Sequence, residues 1–345
     1  MGKIYKSMQT LLDVCAQCKK DEKILIITDP DALPIAQALW DAAEDYPERS
    51  MIMMPTQTTH GQEPTALVAA AMMAADVIFR PTTFSISSTD AKRNACANGA
   101  RDLNCSDYDA RMLESGGLYA DFEGLGEVMD RVAEKYVGKT VEITTPLGTH
   151  ITADITGRKN LPQYGRSIVP GQSSSPPDIE CAIGANVGTM EGVAYIDGSI
   201  PHPLLGLIKE PIRFDIKGSK IVKISGGEQA DIFAKILEDL KATYKNGEQY
   251  HVGEIGIGMN PACELTGRML EDEGCYGTVH FGVGDDRGFC GSYAPDDYTG
   301  ANTCASHLDC VFRNPTLTVD GKVILKDGKL ADEFIKGTVM DPDKK

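Results

Sequence analysis

The chain has 345 residues, with 50 Asp and Glu against 34 Lys and Arg, and a formal net charge of −16. That balance argues against a nucleic-acid backbone or an anionic membrane surface as a partner, and the length suggests two lobes. No run approaches the roughly 20 consecutive apolar residues of a membrane span, and Met1-Gly-Lys-Ile-Tyr-Lys-Ser-Met8 lacks a signal-like apolar core, so a cytoplasmic chain with free thiols is expected.

Ile4, Met8, Leu11, Leu12 and Cys15 recur at helical spacing, which predicts a helix from Ile4 to Lys20 that stops at Asp21-Glu22. Cys15-Ala-Gln-Cys18 falls inside it, ahead of any strand, and reads as two thiols on a helix rather than a redox pair. Lys23 to Asp29 contains a continuous apolar run, the mark of a strand covered on both faces. Helices from Leu33 to Tyr46, Pro64 to Ala75 and Asp90 to Ala100 then alternate with strands at Met51 to Met54 and Asp76 to Phe79. This succession predicts an open parallel α/β sheet with helices on both faces. The turn Thr28-Asp-Pro-Asp-Ala-Leu-Pro34 has no glycine to admit a pyrophosphate, which argues against a nicotinamide or flavin cofactor. Ser85, Ser87, Ser88 and Thr89 have no glycine elbow and read as a loop and helix N-cap.

After a helix from Leu125 to Val137 the texture changes. Val141 to Ile155 alternates around Pro146-Leu-Gly148 as a hairpin does, followed by strands at Asp178 to Ile183, Gly192 to Asp197, Ile212 to Ile216 and Lys220 to Ile224. Gln229 to Tyr244 is an amphipathic helix, and Thr316 to Leu325 is a hairpin with an Asp-Gly turn. The expected division is a Rossmann-like α/β lobe over 1–139 and an α+β lobe over 140–345, rich in antiparallel strands, that carries the functional site.

That site lies between Glu254 and Asp309. Buried strands rarely hold ionisable groups unless these are paired or bind a metal. Yet Tyr276-Gly-Thr-Val-His280-Phe-Gly-Val-Gly284 and Cys304-Ala-Ser-His307-Leu-Asp309 place imidazoles and a carboxylate inside strand patterns. His307 and Asp309 are two apart, so they share one face and form a chelating pair. Glu254 begins a strand whose same-face neighbours, Gly256 and Gly258, have no side chain, leaving that face open to an ion or a substrate.

Together with Glu180 in Pro-Asp-Ile-Glu-Cys and the run Glu191 to Ile200, these segments resemble the aminopeptidase T and aminopeptidase S group of metallo-exopeptidases, family M29, over roughly Glu180 to Pro315. The resemblance implies a homodimeric hydrolase holding two divalent ions through Glu180, Glu254, His280, His307 and Asp309. Such mixed ligands suit Zn, Co or Mn, with Glu254 or Asp309 as the bridge. A small molecule or short peptide would be the substrate. Glu273 is then a candidate general base and Arg287 a candidate oxyanion or carboxylate partner. Arg287 stands where the group places a tyrosine, and Tyr293 or Tyr298 is the alternative for that role. The sequence is also similar to the 2,5-dihydroxypyridine 5,6-dioxygenases, for which His280, His307 and Asp309 would form a facial triad for Fe(II). In that group the first histidine sits where this chain has Glu254.

Overall fold

A computed structural model describes residues 2–344 apart from 59, 245–247, 287–301, 303 and 305. Its contacts divide the chain into two compact units, Met1–Glu123 with Tyr164–Pro177, and Gly124–Gln163 with Asp178–Lys345. The boundary is therefore not the single break expected between 139 and 140. The helix Phe122–Lys135 lies almost wholly in the second unit, where Asn160 Nδ2 donates to the carbonyls of Ala133 and Tyr136 at its end. Its amphipathic pattern shows that one face is buried but not which sheet buries it.

The first unit holds a parallel sheet in the order Arg49–Met53, Ile24–Thr28, Val77–Arg80, Arg101–Asn104, Ser173–Ser174. The apolar run predicted to be covered on both faces is buried at all positions from Ile24 to Thr28. Val68 and Met72 of the helix Ala66–Ala74, with Ala91 and Ala95 of Asp90–Ala97, pack on Leu25, Ile27 and Ile78. Thr89 caps the second of these helices by accepting from Lys92 N–H, as the serine-threonine run suggested. Where the strand order reverses, the Asp29 carboxylate accepts from the Thr83 amide and hydroxyl and from the amides of Asp31 and Ala32. The first helix is shorter than its periodicity implied: Lys3–Gln9 runs into a wider turn, Thr10–Cys15, and Gln17 adopts a positive φ of 47°. Cys15 is thus helical and Cys18 lies beyond the helix, and no disulfide forms among the described cysteines. No helix among the described residues is long and apolar enough to cross a membrane.

The second unit is built from an eight-stranded and a seven-stranded sheet, with antiparallel pairing throughout. The predicted hairpin appears as Thr140–Thr144 paired with His150–Asp154. Helix Glu228–Tyr244 seats Phe233 against Phe214 of the larger sheet, with ring centroids 5.2 Å apart. In the smaller sheet Val252–Gly258 and Thr278–Gly284 are buried at every position. Their odd-numbered apolar residues, among them Ile255, Ile257, Val279 and Phe281, form a core side on which Phe281 meets Phe312 at 5.0 Å. The even-numbered residues are left for the other face.

Candidate metal centre

That other face carries the site. Four neighbouring strands, Glu180–Gly184, Val252–Gly258, Thr278–Gly284 and His307–Arg313, lie side by side. Residues directly opposite across antiparallel strands point to the same side. Glu180 faces Gly258, Glu254 faces Gly184 and Gly282, and His280 faces Gly256. Asp309 faces Gly282, and His307 faces Gly284. Each of the five side chains therefore has at least one glycine opposite it, and the missing side chains make the room. A Cβ on Gly256 would land on the His280 imidazole, and one on Gly282 would strike both Glu254 Oε2 and the His307 ring.

The five groups converge as two overlapping sets, Glu180, Glu254 and His280, and Glu254, His307 and Asp309, each offering ligand atoms within 4.8 Å of one another. Glu254 is common to both. His280 Nε2 lies 3.0 Å from Glu180 Oε2 and 3.5 Å from Glu254 Oε1. His307 Nε2 lies 3.0 Å from Glu254 Oε2 and 3.1 Å from Asp309 Oδ1. Two atoms bound tetrahedrally to one ion at about 2.0–2.1 Å stand roughly 3.3 Å apart, so these spacings fit ligands of shared cations. Glu180 Oε2 and Glu254 Oε2 are buried with no partner other than an imidazole, and His280 Nδ1 is buried with none. A buried carboxylate oxygen needs a donor or a cation, and each of these two has only an imidazole nitrogen 3.0 Å away, a spacing that also suits two ligands of one ion. The residues present thus fit a centre for divalent metal.

The electrostatics agree. Burial would push the His280 imidazole down, but Glu180 and Glu254 outweigh it and hold it well above its ordinary range. His307 is raised likewise, Asp309 and Glu254 overcoming its desolvation. Burial would raise the Asp309 carboxyl, yet His307 above all holds it below the usual carboxylate range. Glu273 hydrogen-bonds to Asp309, and desolvation, then Asp309, pushes it well upward. The second groups around the ligands also orient them. Gln163 Nε2 donates to Glu180 Oε1 at 2.9 Å, and the Asp285 carbonyl lies 2.7 Å from His307 Nδ1, which leaves His307 Nε2 for the centre.

The structure brings Glu180, Glu254, His280, His307, Asp309 and Glu273 together in the second unit, while Arg287, Tyr293 and Tyr298 lie outside the described residues. Glu271 and Asp272, which precede Glu273, are fully buried, and Asp272 accepts from the Thr266 and Gly267 amides. Asp178 was not among the expected residues. It is 2% exposed, its Oδ1 has no hydrogen-bond partner, and burial and then Glu180 raise its carboxyl well above the ordinary range. Its two-residue spacing from Glu180 repeats that of His307 and Asp309, a signal the sequence did carry.

A family model described as 2,5-dihydroxypyridine 5,6-dioxygenase (NicX) matches residues 3–332. A protein of that name from Pseudomonas putida KT2440 is 25% identical over 198 residues, which cover 55% of this chain and 53% of the relative, about half its length. The solved structure of 2,5-dihydroxypyridine dioxygenase from the same organism superposes with a TM-score of 0.72 at 17% identity, covering 95% of this chain and 96% of that one. Wild-type AmpT from Thermus thermophilus gives a TM-score of 0.68 at 10% identity, covering 95% and 99%. At such identities the two structures establish a common fold. The family match extends over nearly the whole sequence, and the chain belongs to the 2,5-dihydroxypyridine 5,6-dioxygenase family of enzymes.

Proposed function

We propose that this enzyme is a two-metal hydrolase that cleaves an amide or peptide bond of a small molecule or short peptide. The observation that carries this reading is Glu254, whose two oxygens face different imidazoles and which belongs to both ligand sets. A carboxylate so placed suits a bridge between ions held by Glu180 and His280 on one side and His307 and Asp309 on the other. Zn, Co or Mn match the donors, and such ions supply an acidified water and a polarised carbonyl when bound. The chain itself provides the proton traffic. Glu273 sits against Asp309 and is the carboxyl able to hold a proton there and return it, so we assign it acid–base work. Arg287 is assigned to a developing oxyanion or a substrate carboxylate, and a cytoplasmic homodimer is the expected working form. The fold shared with AmpT supports the hydrolase reading.

A second reading, a ring-cleaving dioxygenase with one Fe(II), is favoured by the family match. Its triad of His280, His307 and Asp309 is harder to draw from the geometry, because His280 groups with Glu180 and Glu254, and His307 and Asp309 group with Glu254. Metal analysis of protein purified without chelators separates the two. The hydrolase holds two ions per chain, loses one in His307→Ala, and hydrolyses amino-acid anilides or small cyclic amides. One iron per chain, with oxygen uptake on 2,5-dihydroxypyridine, would establish the dioxygenase instead.

A further inference from the structure

The strand Asn160–Gln163 forms one edge of the seven-stranded sheet. An edge tolerates Pro162, which has no amide to give to a further strand. The last residue of this edge strand, Gln163, lies directly opposite Glu180. Its Nε2 donates to Glu180 Oε1 at 2.9 Å, and since an ionised carboxylate only accepts, the amino end of the amide must face it. The other oxygen, Oε2, has no partner but the His280 imidazole, whose Nε2 stands 3.0 Å away. The amide thus decides which oxygen is spent on the protein and which is offered to the centre.

We propose that Gln163 is a positioning residue for the buried ion position made by Glu180, Glu254 and His280, and that the position made by Glu254, His307 and Asp309 does not depend on it. The inference rests on the two-ion reading above. Without the amide the Glu180 carboxylate is free to turn, and the order imposed before binding is lost. Hydrogen bonds of this kind typically contribute 10–100-fold in metal affinity. The second position has its own holders, the Asp285 carbonyl on His307 and Glu273 on Asp309, so the effect stays local.

The test is a Co(II) titration, followed by absorbance and calorimetry, of the full chain stripped with chelator. Gln163→Met keeps the length of the side chain and removes its donor. In a His307→Ala background, where the buried position remains, it is expected to weaken Co(II) binding by about 10–100-fold. In a His280→Ala background it is expected to change nothing. Gln163→Leu, which also removes the donor and adds no charge, should repeat the pattern and guards against a variant that fails to fold. Equal losses in both backgrounds, or none in either, would overturn the proposal while a wild type with two ions keeps the hydrolase reading intact. A wild type that takes up fewer than two ions overturns the two-ion reading and the proposal with it.

Discussion

Gly282 offers no side chain, yet two proposed ligands depend on it. It lies opposite both Glu254 and Asp309, and a methyl group there would occupy the space of Glu254 Oε2 and the His307 ring. Of the neighbouring strands, Val252–Gly258 is buried throughout and His307–Arg313 is buried from Asp309 to Phe312, so they cannot move apart cheaply. Gly282→Ala is therefore expected to cost ion binding although no ligand is removed, with metal content falling below one ion per chain while far-ultraviolet circular dichroism stays that of the folded protein. A variant that retains two ions would mean that the face has more room than its contacts indicate. The imidazoles make a second expectation. In the metal-free chain the carboxylates hold His280 and His307 above the ordinary imidazole range, which favours their protonated forms. A metal needs their lone pairs, and loading must expel those protons. Calorimetric titration in buffers of different protonation enthalpy should therefore register proton release near pH 7, declining as the pH passes the raised imidazole range, with ion affinity rising over the same interval. Loading without proton release would show that the imidazoles are neutral before the metal arrives.

At the scale of elements, sequence patterns revealed the strands better than their company. Glu254, His280 and Asp309 were legible because an ionisable group inside an apolar strand is costly, and His307, at the exposed start of its strand, through the period of two that sets it on the face of Asp309. Gln163 was not legible, since a neutral amide on a four-residue strand beside a proline carries no such penalty. Its role follows only from the register that sets it opposite Glu180, and register is a property of the pair of strands. Helix ends were displaced for a local reason: apolar spacing continues beyond the last helical hydrogen bond, as in the helix read to Tyr46 that stops at Ala42. The division of the chain was misplaced for a tertiary one. Phe122–Lys135 follows the parallel sheet in sequence but serves the second unit, where Tyr136 donates its hydroxyl to the Ile255 carbonyl on a site-bearing strand.

For the molecule as a whole, the proposed ligands and the groups that orient them fall in one contact unit, Gly124–Gln163 with Asp178–Lys345. The other unit contributes a parallel sheet whose point of strand-order reversal is filled by Asp29 and its donors. An ion that binds only the folded chain stabilises it by mass action, by about 4 kcal/mol at a thousand times its dissociation constant. Where that energy appears depends on how the units are coupled. Three chain crossings, after Glu123, Gln163 and Pro177, connect them, but none of the proposed ligands lies in the first. Metal addition to the stripped chain is therefore expected to slow amide hydrogen exchange in Glu180–Gly184, Val252–Gly258, Thr278–Gly284 and His307–Arg313, and to leave Ile24–Thr28 and Val77–Arg80 unchanged. Hydrogen exchange read by mass spectrometry distinguishes the cases. Equal protection of both sheets would mean that the two units open as one cooperative body, so that losing the ions loosens even the sheet that supplies none of the proposed ligands.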